Sequence, residues 1–238
     1  MKKVSDLRIK IFADGAEKAG MLEMYKQPFI SGFTTNPTLM NKVGIKDYRA
    51  FAQDIVKAIP DRPISFEVFA DDFAEMERQA GEIATWGEHV YIKIPVTNTK
   101  AEPSYDLIRR LTQKGARLNV TAVMTIAQTE KIVEALKGTK GAVVSIFAGR
   151  VADTGRDPVP HMVEALKIVQ KNPNTELLWA SPRELLNIFQ ADEIGCHIIT
   201  VTNDILKKLE IVGKDLDEYS LDTVKMFYKD ATSAGFSL

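Results

Sequence analysis

Short apolar runs rich in β-branched residues alternate along the chain with longer stretches whose apolar positions recur at helical spacing. The runs predict eight strands: 8–12, 30–34, 64–68, 90–94, 117–121, 143–147, 176–180 and 197–201. Between them the spacing predicts helices over 17–25, 47–58, 73–86, 103–114, 126–136, 160–171, 182–190 and 203–209. In the third of these, Phe73, Met76, Ala80, Ile83 and Ala84 form one apolar stripe, which suits core packing. Eight strands alternating with eight helices predict a single (β/α)8 TIM barrel, with residues 214–238 as an additional C-terminal helix and tail. The helix is expected over 221–231, with Val224, Phe227 and Tyr228 on it, and Phe236 and Leu238 are expected to dock on the barrel or on a neighbouring subunit. An open doubly wound sheet is the competing architecture, but Phe12-Ala13-Asp14-Gly15-Ala16 carries no G-x-G-x-x-G fingerprint after the first strand. No linker or low-complexity tract divides residues 1–238, so a single domain is expected.

Strand phase decides which side chains enter the barrel. In the fourth strand Val90, Ile92 and Ile94 share one face, and Tyr91, Lys93 and Pro95 the other. The wholly apolar face belongs under the outer helices, so Lys93 points inward. The same alternation turns Glu67, Asn119, Thr121, Ser145 and Phe147 inward. Asp14, Thr34, Thr35, Asn36, Arg150, Ser181 and Arg183 fall at or just beyond strand C-termini, where barrels of this kind build their sites. A buried ammonium is disfavoured by desolvation, which favours the neutral amine, and a neutral amine is what nucleophilic attack on a carbonyl requires.

Each residue also has a structural reading. Asp14 can cap the first helix, Asn36 can set the turn before Pro37, and Glu67 can be an ion-pair partner of Lys93. Thr121 and Ser145 can satisfy main-chain groups. Ser181-Pro182-Arg183-Glu184 reads as a capping box with Ser181 at the N-cap, and a helix N-terminus beside Arg183 also suits an anion. Arg156 is a further cation, farther from its strand than Arg150. Taken together, a lysine, two carboxylates, hydroxyls, amides and arginines at one barrel mouth point to an enzyme for a small anionic carbonyl compound.

Bulk properties remove other classes. Over 238 residues, 31 basic and 32 acidic side chains nearly cancel without long blocks of either sign, so neither a nucleic-acid nor a polybasic membrane surface is expected. One cysteine, Cys196, rules out an internal disulfide framework and fits a reducing compartment. The polar start, Met1 to Asp6, lacks the apolar core of a signal peptide, and a cytoplasmic location is expected.

In order along the chain, Phe12-Ala13-Asp14, Thr34-Thr35-Asn36-Pro37-Thr38, Glu67, Lys93-Ile94-Pro95-Val96-Thr97, Asn119-Val120-Thr121, Phe147-Ala148-Gly149-Arg150 and Ala180-Ser181-Pro182-Arg183 resemble the motifs of the transaldolase family, including the fructose-6-phosphate aldolases. The resemblance implies that Lys93 forms a Schiff base with a ketose donor, with Asp14, Glu67 and Thr121 as its catalytic partners and no metal or organic cofactor. It implies a dihydroxyacetone unit held by Thr35, Asn36, Asn119 and Ser145 beside Phe147, and a terminal anion held by Arg150, Ser181 and Arg183. The unit is then passed to an aldehyde acceptor. Glu67 and Phe147 resemble true transaldolases, where the aldolase branch has glutamine and tyrosine. Gly15, Pro182 and the loop Ala152-Asp153-Thr154-Gly155-Arg156-Asp157 depart from the pattern and leave phosphate and sulfonate head groups open. A 6-deoxy-6-sulfofructose transaldolase, a fructose-6-phosphate aldolase and a non-catalytic sugar-phosphate-binding barrel are the alternatives. The resemblance further implies a homo-oligomer, a pentamer or decamer.

Overall fold

The computed structural model describes residues 2–237. Eight parallel strands close into a barrel in sequence order: β1 Lys10–Asp14, β2 Ile30–Thr34, β3 Ile64–Glu67, β4 Val90–Pro95, β5 Leu118–Val123, β6 Ala142–Ile146, β7 Thr175–Trp179 and β8 Ile198–Thr202. The helices are α1 Lys18–Tyr25, α2 Pro37–Lys42, α3 Tyr48–Ala58, α4 Phe73–Ile83, α5 Tyr105–Gln113, α6 Ile126–Ala135, α7 Ala148–Asp153, α8 Pro158–Val169, α9 Leu186–Glu193, α10 Asn203–Leu206 and α11 Leu216–Ser233. This is a (β/α)8 TIM barrel with an additional C-terminal helix.

The outward residues of the strands, among them Phe33, Phe66, Ile92, Ile94, Val120, Val144 and Trp179, are fully buried in the layer between barrel and helices. Met76, Ala80 and Ile83 of the α4 stripe lie in the same layer. Inside the barrel a second, smaller cluster of Phe12, Val143, Leu178, Ala180 and Ile198, flanked by Tyr91 and Phe147, fills the space beneath the mouth. Gly32 is required by that plug: a Cβ there would lie 2.6 Å from the Phe12 ring. The pocket at the mouth therefore has a packed apolar floor.

β1 starts two residues later than the apolar pattern predicts. The main-chain N–H groups of Arg8 and Ile9 donate to Asp192 Oδ1 at 2.7 and 2.8 Å, and ladder pairing begins at Lys10. Two short helices escape the hydrophobic pattern altogether. α2 is started by Asn36, whose side chain accepts from Leu39 N–H at 2.9 Å, with Pro37 at the first helical position. α7 is six residues long and follows directly on β6.

At the C-terminus α11 runs longer than predicted, because Asp215 caps it by accepting from Asp217 and Glu218 N–H. It buries none of its residues, and Leu216, Leu221, Val224, Phe227, Tyr228 and Phe236 are exposed. Phe236 thus does not dock on the barrel; Leu238 lies outside the described residues. Among the described residues no helix is long and apolar enough to cross a membrane.

Candidate active site

A cavity of about 580 Å³ opens at the C-terminal ends of the strands. Its lining includes Asp14, Asn36, Glu67, Lys93, Asn119, Thr121, Ser145, Phe147, Arg150, Ser181 and Arg183. At its centre is Lys93, 6% exposed, with Nζ 3.0 Å from Glu67 Oε2 and donating to the Thr35 carbonyl at 2.8 Å. Glu67 and Lys93 are direct neighbours in the β3–β4 register. The ion pair and the carbonyl together offset the cost of burying the amine. Glu67 is therefore both a structural partner of Lys93 and a carboxylate within proton-transfer reach of its nitrogen.

Asp14 ends β1 and accepts from Thr34 Oγ1 at 2.8 Å, and Thr34 in turn shares a hydrogen bond with Thr200. Burial raises the Asp14 carboxyl above its ordinary range; the Lys93 charge and the Thr34 hydrogen bond oppose the rise, and Glu67 adds to it. α1 is capped by Glu17, not by Asp14, which leaves Asp14 free of the helix-capping role. On the opposite wall Asn119 is held at both ends of its amide, donating to Ser65 Oγ at 3.0 Å and accepting from Ser145 Oγ at 2.6 Å. Thr121 is buried with no partner for its hydroxyl among the described residues. The next residue, Ala122, has φ +60°, at the point where the β5–β6 register shifts.

The cations lie at the rim. The Arg150 guanidinium carbon stands 5.6 Å from the centre of the Phe147 ring. Arg183 donates from Nε to Asp153 Oδ1 at 2.9 Å and also engages the other carboxylate oxygen through Nη2. The Arg183 hydrogen bonds hold the Asp153 carboxyl below its usual range, so it stays ionised. Arg156 is not brought to the cavity and instead donates to Thr154 Oγ1.

Two expectations, those for Ser181 and Thr35, need correction. Ser181 is not a helix N-cap: it has φ +62°, and α9 begins only at Leu186. The main chain there packs so closely on α7 that a Cβ at Gly149 would lie 1.5 Å from the Ser181 carbonyl oxygen. The N–H groups of Arg183 and Glu184 are taken by Asn187 Oδ1 instead, so Ser181 does not open a helix N-terminus beside Arg183. Thr35 does not line the cavity; its hydroxyl donates to the Ser65 carbonyl at 2.9 Å, and its contribution is the carbonyl that receives Lys93. Asn36 has its side-chain oxygen committed to the α2 cap, leaving the amide nitrogen as the group it can offer.

Thr200 and Ser65 join the site without having been singled out from the sequence. Both lie on inward strand faces, and the same phase rule that selected Lys93 would have found them. Among the described residues no three His, Cys, Asp or Glu side chains cluster as a metal site would need.

Residues 11–238 match the model of the family described as Transaldolase/Fructose-6-phosphate aldolase. A probable transaldolase of Dehalococcoides mccartyi is 36% identical over 202 residues, covering 84% of this chain and 90% of that protein. One from Pelotomaculum thermopropionicum is 32% identical over 225 residues, covering 93% and 97%. Among solved structures, the 3-hexulose-6-phosphate synthase from Salmonella typhimurium aligns with a TM-score of 0.59 at 14% identity, over 84% of this chain and 91% of that one, a likeness of fold. With a family model spanning nearly the whole chain and relatives aligned over most of their own length, the chain belongs to the transaldolase/fructose-6-phosphate aldolase family and is an enzyme of that class.

Proposed function

We propose that this enzyme moves a dihydroxyacetone unit from a ketose bearing a terminal anion to an aldehyde acceptor through a Schiff base on Lys93. The observation that carries the reading is the buried Lys93 amine, placed between the Glu67 carboxylate and the Thr35 carbonyl in the lining of a cavity rich in polar side chains. Lys93 yields a proton to Glu67 and attacks the C2 ketone. Water leaves the resulting carbinolamine, with Glu67 and the unpartnered Thr121 hydroxyl holding the water that relays its protons. Asp14 takes the proton from the C4 hydroxyl as the C3–C4 bond breaks, and the electron pair of that bond passes into the enamine. The aldehyde product departs. The enamine carbon then attacks the acceptor aldehyde, Asp14 returns its proton to the new alkoxide, and hydrolysis frees Lys93. Asn36, Asn119 and Ser145 hold hydroxyls of the three-carbon unit.

Transfer is favoured over simple cleavage by Phe147. A phenol at this position would protonate the enamine and release free dihydroxyacetone, and a phenyl ring has no proton to give. The assay that decides compares dihydroxyacetone release without acceptor against product formation with glyceraldehyde 3-phosphate. Release as fast as transfer contradicts the reading and supports an aldolase; binding without either reaction supports a non-catalytic barrel.

Phosphate is the first choice of head group, with Arg150, Ser181 and Arg183 as its clamp. Asp153 favours a second reading. Its carboxylate already occupies the Nε–Nη2 edge of the Arg183 guanidinium, which leaves the rim with less positive charge than two free arginines would supply. A sulfonate monoanion, as in 6-deoxy-6-sulfofructose, needs less compensation than a phosphate dianion. Changing Asp153 to asparagine is expected to raise kcat/KM for fructose 6-phosphate about 2- to 5-fold, the range of an exposed ion pair, and to change that for the sulfonate donor by less than about 1.5-fold. Equal effects on both donors would remove Asp153 from head-group choice.

The exposed face of α11 supports self-association as a homo-oligomer. Glu218, Asp222, Lys225 and Lys229 fall on one stripe of the helix at its 3.6-residue period, and Val224, Phe227 and Tyr228 lie outside that stripe, exposed. A second copy of this chain is the proposed occupant. The double variant Val224→Asp/Phe227→Asp is expected to sediment as a smaller species than the parent, with its far-ultraviolet circular dichroism preserved. An unchanged sedimentation coefficient would place the contacts elsewhere.

A further inference from the structure

We propose that Tyr48 is a positioning residue of this reaction, acting through Glu67, because its hydroxyl supplies the main-chain hydrogen bonds that β2 stops short of making. The inference rests on the reading of Lys93 and Glu67 given above.

In a parallel ladder the N–H and C=O of one residue point to the same neighbouring strand. The N–H groups of Phe33 and Thr35 donate to the carbonyls of Pro63 and Ser65 at 2.8 and 3.2 Å. One step further, the ladder would join Glu67 N–H to the Thr35 carbonyl and the Glu67 carbonyl to the N–H of residue 37. Residue 37 is Pro37, which has no N–H and opens α2 at that point. The Thr35 carbonyl is turned to a different use, receiving Lys93 Nζ at 2.8 Å.

Both main-chain groups of Glu67 are thereby left without a strand partner. Tyr48 Oη meets the two at once: it accepts from Glu67 N–H at 2.8 Å and donates to the Glu67 carbonyl at 2.8 Å. One phenol thus closes the broken end of the ladder and frees a carbonyl to orient the nucleophile. The opposite edge of β3 keeps its ladder, with Val68 N–H donating to the Lys93 carbonyl at 3.1 Å.

The phenol is itself held in place. Tyr48 is the first residue of α3, and its ring packs against Phe69, Trp86 and Phe66 with centroid separations of 5.4, 5.9 and 6.4 Å. Burial pushes its hydroxyl above the ordinary tyrosine range, so it remains protonated and can donate and accept together. A shift of the Glu67 main chain would pass directly to the 3.0 Å contact between its carboxylate and Lys93.

The test uses Tyr48→Phe, which deletes the hydroxyl and keeps the ring, with Phe69→Leu as the comparison that thins the ring cluster and keeps the hydroxyl. For Tyr48→Phe, kcat is expected to fall roughly 10- to 100-fold, the scale of a small misplacement of a catalytic group. KM for the donor is expected to stay within about twofold, since Glu67 moves protons and does not hold the ground state. The pH–rate profile is expected to shift, and amide hydrogen exchange at Glu67 to accelerate. Phe69→Leu keeps the hydroxyl and both its hydrogen bonds, and is expected to change kcat far less than Tyr48→Phe, with the pH profile and Glu67 exchange unchanged. A Tyr48→Phe enzyme with the parent kcat, pH profile and Glu67 exchange would overturn the proposal, as would Phe69→Leu reproducing its kcat loss at equal loss of Tm. Failure of the parent enzyme itself to trap a donor adduct would instead contradict the reading of Lys93.

Discussion

Replacing Lys93 with methionine is expected to lower kcat for dihydroxyacetone transfer by at least about 10⁴-fold, the scale seen when a covalent nucleophile is removed. Methionine follows the lysine stem as far as Cε and cannot form an iminium, so the proposed electron sink for C3–C4 cleavage disappears while the cavity wall keeps its apolar stem. The same change leaves Glu67 without its cation beside the Thr35 carbonyl, and stability should fall by roughly 2 kcal/mol. Adding Glu67→Gln removes the stranded charge. The double variant is expected to regain most of the lost stability and none of the activity, which separates folding from chemistry. Substantial transfer by the single variant, measured with pure folded protein, would exclude Lys93 as the nucleophile.

The second large effect concerns Asp14. In its proposed role as the base for the C4 hydroxyl it must be ionised, yet its pKa is raised, first by burial and to a lesser degree by Glu67. Activity should therefore rise with pH through that raised value, and Asp14→Asn should remove this limb along with about 10²- to 10⁴-fold in kcat. The stability effect has the opposite sign. A carboxyl whose folded pKa lies above its unfolded value favours the folded state below the unfolded pKa and loses that contribution as pH rises through the folded one. At neutral pH an ionised Asp14 is then a net cost, and Asp14→Asn should stabilise the barrel by about 1 kcal/mol, or roughly 2–4 °C in Tm for a chain of this size. Loss of both activity and stability in this variant would contradict the assignment.

Much of this site is legible from alternation alone. Once Val90, Ile92 and Ile94 are assigned to the helix-facing side, Lys93 must enter the barrel, and the same step turns Glu67, Asn119 and Ser145 toward it. The partners of those side chains are less legible, because they depend on how the closed barrel staggers its strands. The bond between Thr34 and Thr200 joins β2 to β8 across β1, and the Ser65–Asn119–Ser145 chain joins β3 to β5 across β4 and then β5 to its neighbour β6. Local motifs misled where packing overrode them. Ser181-Pro182-Arg183-Glu184 has every residue of a capping box, but Ser181 lies in the left-handed region with its main chain packed on Gly149, and α9 begins only at Leu186. Tyr48 carried no signal at all, since its partner is a main chain left unpaired by a proline eleven residues before it.

The most direct test of the Lys93 assignment is borohydride reduction of the enzyme in the presence of fructose 6-phosphate or its sulfonate analogue, followed by peptide mass mapping. The expected result is a reduced three-carbon adduct on Lys93, absent from Lys93→Met and absent without a ketose donor. An adduct on a different lysine, or none from a folded enzyme that still performs transfer, would contradict it.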